Sequence, residues 1–332
     1  MLKLNIMKNK ILVLFLLIFC LSCGKAYPYW LWTPQSGKWV NPKHAVKPTP
    51  KEQFDYAMEY YEGKKYQDAL REFKKLVKAY PKSGEAAESQ YYVGVIEEEL
   101  GNLYEAYLAY QKVIDKYPFS ERIQEIIQRE FNIADKFMAG AKRKAMGIVL
   151  PVENPGIEIY TKIVENSTYG PLAPKAEYKL GLVYKASARF YEAEDAFNKL
   201  ITTYPESEWV EPAKFQLAAC RAAVSQGSDY DQGSAEEAKQ KFEEFVKEHP
   251  DAELSKEAEK NIGLIREKEA QSAYNIAVFY EKQKAWQSAL IYYQEVIAKY
   301  PDSQWAKQAQ ERLPAVEKLL EKNNAKEKKR KK

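Results

Sequence analysis

Few side chains in this sequence have the types and spacing that catalysis or metal binding requires. The chain has 332 residues with three cysteines and two histidines, His44 and His249. Neither histidine has a second histidine, cysteine or carboxylate cluster at a zinc-ligand spacing. No glycine-rich phosphate loop and no Gly-x-Ser-x-Gly nucleophile motif occurs. We therefore expect no enzymatic activity, no metal and no cofactor, and we interpret the chain as a binding protein.

Cys23 is the residue whose surroundings predict a covalent modification. Three lysines within the first ten residues precede an apolar run over 11–19, which is too short to span a membrane. The run ends at Cys20-Leu21-Ser22-Cys23-Gly24. This segment resembles a bacterial lipobox, and the resemblance implies a signal peptide over 1–22 and a diacylglyceryl group, with further acyl chains such as palmitate, on Cys23.

The same resemblance predicts where the protein is anchored. Gly24 would be the second residue of the mature chain, whereas Asp at that position favours retention in the inner membrane of Gram-negative bacteria. We therefore expect a lipid anchor in the outer membrane, on its periplasmic face. The alternative is a plain secretory peptide cleaved nearby. Cys20 is a poorer acceptor because Phe19 would then precede the cleavage site, and Cys220 is expected to be a small core residue.

The charge distribution gives no indication of nucleic-acid binding. The net charge of +4 comes from the lysines of the leader and of the 326–332 tail, and the chain between them is mildly acidic. We expect the tether over 23–50, which is rich in proline and aromatic residues, either to pack on the first repeat or to contact headgroups or a partner. A basic, disordered tail is expected over 323–332.

One pattern repeats along most of the sequence. At six points spaced along the chain, one in each expected first helix, an aromatic residue is followed three positions later by Ala or Gly. At five points Ala is followed four positions later by an aromatic residue and twelve positions later by Pro. The first half of the pattern occurs at Phe54/Ala57, Tyr91/Gly94, Phe131/Ala134, Tyr178/Gly181, Phe215/Ala218 and Tyr274/Ala277. The second half occurs at Ala69/Phe73/Pro81, Ala106/Tyr110/Pro118, Ala193/Phe197/Pro205, Ala238/Phe242/Pro250 and Ala289/Tyr293/Pro301.

This period predicts pairs of antiparallel helices. Small residues are needed where two helix backbones cross closely, the aromatic residues fill the space beside them, and proline ends each second helix. The spacing resembles the tetratricopeptide repeat over about 50–305. We therefore expect an all-α, right-handed superhelical solenoid over 51–322 without strands. Its six helix pairs are expected at 51–83, 84–120, 121–171, 172–208, 209–252 and 253–302, followed by a capping helix over 303–322.

The third pair departs from the pattern, because its second helix lacks the Ala and the Tyr-Pro pair. The turns inside four of the other pairs end on apolar residues that we expect to anchor the second helix. These anchors are Tyr66, Leu103, Phe190 and Trp286.

A second resemblance covers roughly 50–310 and is clearest near the C-terminal end. It is carried by Tyr230-Asp231-Gln232, Ala238, Phe242, His249-Pro250, Ala258, Ile265, Tyr274 to Tyr280, Ala285-Trp286, Ala289 and Tyr300-Pro301-Asp302-Ser303. These residues resemble the BamD (ComL) family of outer-membrane lipoproteins. The resemblance implies a scaffold of the barrel-protein assembly machinery that binds the POTRA domains of the barrel-forming protein and unfolded outer-membrane protein precursors.

The chain differs from that family in two respects. It has six predicted helix pairs rather than five, and Tyr292 stands where the family often has the Arg associated with the barrel partner. An alternative is a periplasmic scaffold for pilus or secretin assembly or for envelope division. A peptide chaperone without a fixed complex is a third interpretation.

Two groups of residues are candidates for binding. Trp286 and Tyr292 are candidates for the barrel partner, although a core role as a turn anchor is favoured for Trp286. Phe54, Tyr61 and Tyr91 are candidates for a peptide groove, because the aromatic residue of each first helix is expected toward the concave face. The alternative is that these aromatic residues form core contacts between neighbouring first helices.

Overall fold

The computed structural model describes residues 31–33, 38–40, 45–145, 148–225 and 232–330. Within these ranges the chain forms thirteen helices and two short hairpins. The helices are α1 (Pro50–Glu62), α2 (Tyr66–Ala79), α3 (Gly84–Glu99), α4 (Leu103–Lys116), α5 (Ile123–Met138), α6 (Gly156–Asn166), α7 (Ala173–Ala186), α8 (Phe190–Thr203), α9 (Val210–Val224), α10 (Gln232–Glu248), α11 (Glu253–Lys282), α12 (Trp286–Lys299) and α13 (Gln304–Arg330). The strands are β1 (Leu31–Thr33), β2 (Lys38–Val40), β3 (Lys144–Ala145) and β4 (Ile148–Val149).

The helices form the predicted tetratricopeptide-repeat solenoid. Each helix packs mainly against its neighbours in sequence, which gives six pairs from α1/α2 to α11/α12, with α13 packed against the last pair. The fold class is therefore confirmed. The expectation that strands are absent fails at two antiparallel hairpins outside the pairs, β1–β2 in the tether and β3–β4 between α5 and α6.

The aromatic residue that the pattern places on every first helix forms a ring pair with an aromatic residue of the second helix. In all six pairs this ring packs on the aromatic ring of the second helix, with centroids 5.5 to 6.1 Å apart. Such pairs contribute roughly 0.5–1.5 kcal/mol each beyond the burial of their area. The small residue three positions later is buried at the crossing in every pair. These residues are Ala57, Gly94, Ala134, Gly181, Ala218 and Ala277.

The third pair follows the same rule, with glycine in place of alanine. Gly156 is buried on α6, and a Cβ there would lie 3.4 Å from the backbone oxygen of Ala134. Tyr160, four residues later, packs edge-on against Phe131 at 5.5 Å. The sequence interpretation that this helix lacks the pattern was thus too strict, because the spacing of four between Gly156 and Tyr160 is intact.

The turns inside four of the pairs share one backbone conformation. The residue two positions before the second helix has a positive φ, and the next residue donates its N–H to a carbonyl five residues earlier. This arrangement satisfies free carbonyls at the end of the first helix. The four residues are Lys64, Gly101, Ala188 and Lys284. The second helices then begin at the four predicted anchors, Tyr66, Leu103, Phe190 and Trp286.

The helix α11 is 30 residues long and connects two hydrophobic clusters. Its first half packs with α9 and α10 through Ala258 and Ile265, and its second half packs with α12 and α13 through Ala277. Gly263 lies between the two halves, exposed, in the helix interior.

Gly263→Ala is expected to stabilise the protein by about 0.5–1 kcal/mol, because glycine in a helix interior loses more backbone entropy on folding than alanine. A Cβ at this position would meet no atom within 4 Å among the described residues. Urea unfolding followed by circular dichroism measures the change. An unchanged or lower free energy of unfolding would show that α11 requires glycine at this point.

The final helix continues beyond the predicted cap. α13 extends to Arg330, so the expected disorder is wrong over 323–330. The segment 323–330 has Ala, Glu, Lys and Arg but neither glycine nor proline, and its basic residues suit the negative end of a helix dipole. Among the described residues, no helix is long and apolar enough to cross a membrane.

Candidate functional site

Three aromatic side chains form a surface at the C-terminal end of the solenoid. Tyr280 on α11 and Tyr292 on α12 are half-buried and stacked, with centroids 5.2 Å apart and an interplanar angle of 9°. Phe279 packs edge-on against Tyr280 at 5.6 Å, and 56% of it is exposed. We call Phe279, Tyr280 and Tyr292 the C-terminal aromatic patch. Sequence analysis found Tyr292 and missed Phe279, although the aromatic pair 279–280 was a usable signal.

Trp286, the other predicted partner residue, does not join this patch through a ring contact. It is half-buried at the first position of α12, where it serves as the turn anchor. The structure thus places Tyr292 with other accessible aromatic residues and places Trp286 at the turn.

An ionic bridge fixes the helices that carry the C-terminal aromatic patch. Glu281 on α11 accepts hydrogen bonds from Tyr293 Oη of α12 at 2.7 Å and from Arg312 Nε of α13 at 3.1 Å. The hydrogen bond from Arg312 lowers the pKa of Glu281 below its usual value. These hydrogen bonds therefore join the three helices next to the patch.

The N-terminal candidates do not all lie together. Phe54 and Tyr61 are half-buried and both contact Tyr92, with centroid distances of 6.0 and 5.1 Å. Tyr91 is only 4% exposed and packs on Tyr110 at 6.1 Å. The prediction of Tyr91 as a groove residue is wrong, because its ring belongs to the aromatic pair inside the second repeat. The aromatic cluster that the structure forms is Phe54, Tyr61 and Tyr92.

Tyr91 lies at the centre of an ion-pair network that joins α3 to α5. Its hydroxyl donates to Glu125, and the guanidinium of Arg122 lies over its ring, 4.8 Å from the centroid. Arg122 also binds Glu88 at 2.7 Å, and Arg129 binds Glu125 at 3.1 Å. Burial raises the pKa of Tyr91, so it stays protonated and keeps its hydrogen bond. These charges are paired, and they hold successive first helices together.

The described residues contain no group of three or more His, Cys, Asp or Glu side chains that could hold a metal ion. Cys220 is fully buried, and burial raises the pKa of its thiol to about 11. A thiol with that pKa is mostly protonated near neutral pH and is a poor nucleophile. Cys220 is therefore a core residue, as predicted. Cys23 lies outside the described residues.

Comparison with family models divides the chain into two matches. Residues 170–332 match the YfiO model, which is described as an outer membrane lipoprotein, and residues 54–121 match a tetratricopeptide-repeat model. No curated protein matches the chain. The C-terminal half is thus similar to outer-membrane lipoproteins, and the N-terminal part is similar to tetratricopeptide repeats.

Solved structures with similar repeats differ strongly in sequence. The C-terminal part of a repeat protein from Cytophaga hutchinsonii is 19% identical, with 79% of this chain and 87% of that chain covered and a TM-score of 0.37. A tetratricopeptide repeat protein from Parabacteroides merdae is 15% identical over 80% and 98% of the two chains, with a TM-score of 0.34. PilW, a type IV pilus biogenesis factor, is 16% identical over 79% and 98%, with a TM-score of 0.29.

Proposed function

We propose that the protein is a non-catalytic outer-membrane lipoprotein scaffold on the periplasmic face. It binds the barrel-forming assembly protein through its POTRA domains and receives unfolded outer-membrane protein precursors. The observation that carries this proposal is the match of 170–332 to an outer membrane lipoprotein model. The lipobox-like order around Cys23 supports the anchor, and a helical-repeat surface suits protein binding.

The C-terminal aromatic patch is the proposed contact for the barrel partner. It lies inside the matched half of the chain, Phe279 is exposed, and the bridge between Glu281 and Arg312 joins α11 and α13 beside it. Binding hot spots are enriched in aromatic residues because these bury a large area at low entropic cost. In this proposal, the stacked rings of the patch take the place of the charged contact that an Arg at position 292 would make.

Phe279→Ala combined with Tyr292→Ala is expected to weaken binding to purified POTRA domains by roughly tenfold or more, as loss of a hot spot does. The matched control is Tyr191→Ala, which removes an aromatic residue that is 64% exposed on α8, away from the patch. Calorimetric titration measures the affinity, and circular dichroism checks that helicity is unchanged. Equal affinity in the folded double variant would remove the patch from the interface.

The cluster of Phe54, Tyr61 and Tyr92 is the proposed contact for precursor segments. Its rings are half-buried and adjacent, whereas Tyr91 is inside the repeat. Extended apolar peptides suit such a cluster, because aromatic rings offer large contact areas with little loss of side-chain freedom.

Cys23→Ser is expected to abolish acylation of the protein. Each buried acyl CH2 group contributes about 0.8 kcal/mol, and stable anchoring requires more than one chain. Intact mass spectrometry of the mature protein should show a lipid on Cys23 that is absent from the variant. An unmodified mature terminus at another residue would contradict the lipoprotein assignment.

A further inference from the structure

The turns between successive helix pairs all lie at one edge of the solenoid, because every first helix begins there. The tether enters α1 at this same edge. Along the edge, the hydroxyl of a tyrosine that follows a second helix donates to a backbone oxygen of the preceding turn. The hydroxyl of Tyr80 donates to the backbone oxygen of Lys47 at 2.5 Å, Tyr117 donates to Pro81 at 3.1 Å, and Tyr204 donates to Thr168 at 2.8 Å. Lys47, near the end of the tether, thus accepts the hydrogen bond that a residue of the preceding turn accepts in the later repeats. We call the segments 45–49, 80–83, 117–122, 167–172, 204–209, 249–252 and 300–303 the tether edge.

Two side chains on the tether edge are almost completely exposed aromatic residues. Phe119 is 98% exposed and Tyr169 is 95% exposed. Each lies two residues after the C-cap residue of a second helix, Tyr117 or Ser167, so the two occupy equivalent places on successive turns. The described residues show no ring contact for either one. Neither side chain contributes to the core, although both bear large apolar surfaces.

The residues at the corresponding position on the other turns change in charge along the edge. Lys82 holds this position on the turn nearest the tether, and Glu206, Asp251 and Asp302 hold it on the last three turns. At this position the edge therefore carries a lysine and two aromatic residues near the tether and carboxylates far from it.

A cavity of about 990 Å³ opens between the first two turns of the tether edge. Phe119, Lys82 and Lys116 line it, and the hydroxyl of Ser83 is buried there without a hydrogen-bond partner among the described residues. Lys82 and Lys116 form no ion pair within the part of the chain that the structure describes. Of the three carboxylates of the lining, Glu88 and Glu125 are paired with Arg122, whereas Glu121 is exposed and forms no ion pair among the described residues. Two unpaired lysines and a hydroxyl can thus contact a phosphate group here, with the carboxylate of Glu121 as the one unpaired opposing charge.

We infer that the N-terminal half of the tether edge lies against the bilayer, with Phe119 and Tyr169 at the boundary of headgroups and acyl chains. Lys82 and Lys116 meet the lipid phosphates. Aromatic rings favour this boundary, and lysines near an anionic surface add to the attraction. The inference rests on the proposed lipid anchor, because the anchored tether leaves the fold at this edge. It gives the scaffold one orientation, with the acidic turns directed away from the membrane.

The test places an environment-sensitive fluorophore at single cysteines in the acylated full-length protein, reconstituted in vesicles of phosphatidylethanolamine and phosphatidylglycerol. Labels at Phe119→Cys and Tyr169→Cys are compared with a label at Tyr191→Cys, an exposed aromatic position at the opposite edge, beside the turn that precedes α8. The native Cys220 is fully buried and does not compete for the label. Quenching by spin-labelled lipid is expected to be at least about threefold stronger at 119 and 169 than at 191.

The contrary outcomes distinguish failure of the inference alone from failure of the lipid anchor on which it rests. Protein that floats with the vesicles while labels at 119 and 169 remain unquenched overturns the membrane-facing edge and leaves the lipid anchor intact. Protein that does not float overturns both. Labels that become shielded only when the barrel-assembly protein is added would show that the edge binds protein, which also overturns the inference.

Discussion

Gly181→Leu is expected to lower the free energy of unfolding by about 3 kcal/mol, at the upper end of the range for overpacked cores. A Cβ added at Gly181 would lie 2.5 Å from Cε1 of Phe197, the aromatic residue of the second helix in the same pair. The ring is fully buried, and its partner ring Tyr178 lies 5.7 Å away, so it cannot move without breaking the aromatic pair. Thermal and urea unfolding measure the loss.

The matched control for this overpacking is Gly84→Ala. Gly84 is exposed at the start of α3, and a Cβ there would meet no atom within 4 Å among the described residues. This change should leave the melting temperature near the wild-type value. A Gly181→Leu protein that melts like the wild type would show that the helices of the fourth pair do not cross at this glycine.

Glu130→Gln is expected to reduce the loss of stability that we expect of the wild-type protein between pH 5 and pH 9. Glu130 is fully buried on α5, and both of its carboxylate oxygens accept from Gln111 Nε2 at 2.9 Å. Burial raises the pKa of this carboxyl from 4.5 to about 8. The native state therefore binds the proton more tightly than the unfolded chain, and the resulting stability is complete below pH 4.5 and lost as the pH rises through about 8.

The size of this effect has an upper bound of roughly 5 kcal/mol, because one pKa unit corresponds to about 1.4 kcal/mol. The glutamine variant has no such proton to lose, so it should be more stable than the wild type at pH 9 and similar to it at pH 5. Glutamine already holds the equivalent position in the first two repeats. Gln53 and Gln90 lie four residues before the crossing residue and donate to backbone oxygens at 3.1 and 3.0 Å.

Glu121→Gln provides the control for the pH experiment, because it removes an exposed carboxylate from the turn before the same helix. Urea unfolding at pH 5, 7 and 9 gives the free energy of unfolding for all three proteins. Parallel pH profiles for the wild type and Glu130→Gln would contradict the assignment of a protonated buried carboxyl at this position.

The spacing of the sequence predicted those features of the fold that close packing requires. Ala57 and Gly181 are buried at helix crossings as expected, because only small residues permit the close approach of two backbones. The position of Tyr91 could not be read in the same way. Tyr91 and Tyr92 are adjacent on α3, and a change of about 100° around the helix axis decides which ring enters the core.

The site was predicted less well, because a docking surface leaves a weak signal in one sequence. Tyr292 was identified only because it neighbours Tyr293, which fits the repeat pattern. Phe279 was not identified, because the sequence shows no boundary between the two halves of the long helix α11. The exposure of Phe119 depends on the turn conformation after Pro118, which the repeat pattern does not specify. Surface positions of a repeat are free to vary, whereas its crossing positions are not.

The most direct test of the proposed scaffold is affinity purification of the tagged, full-length protein from detergent-solubilised envelopes, with quantitative mass spectrometry of the proteins that remain bound. We expect the barrel-forming assembly protein to be recovered in near-stoichiometric amounts, and the Phe279→Ala/Tyr292→Ala protein to recover much less of it. Recovery of a pilus, secretin or division complex without the barrel-forming protein would rule out the proposed scaffold role.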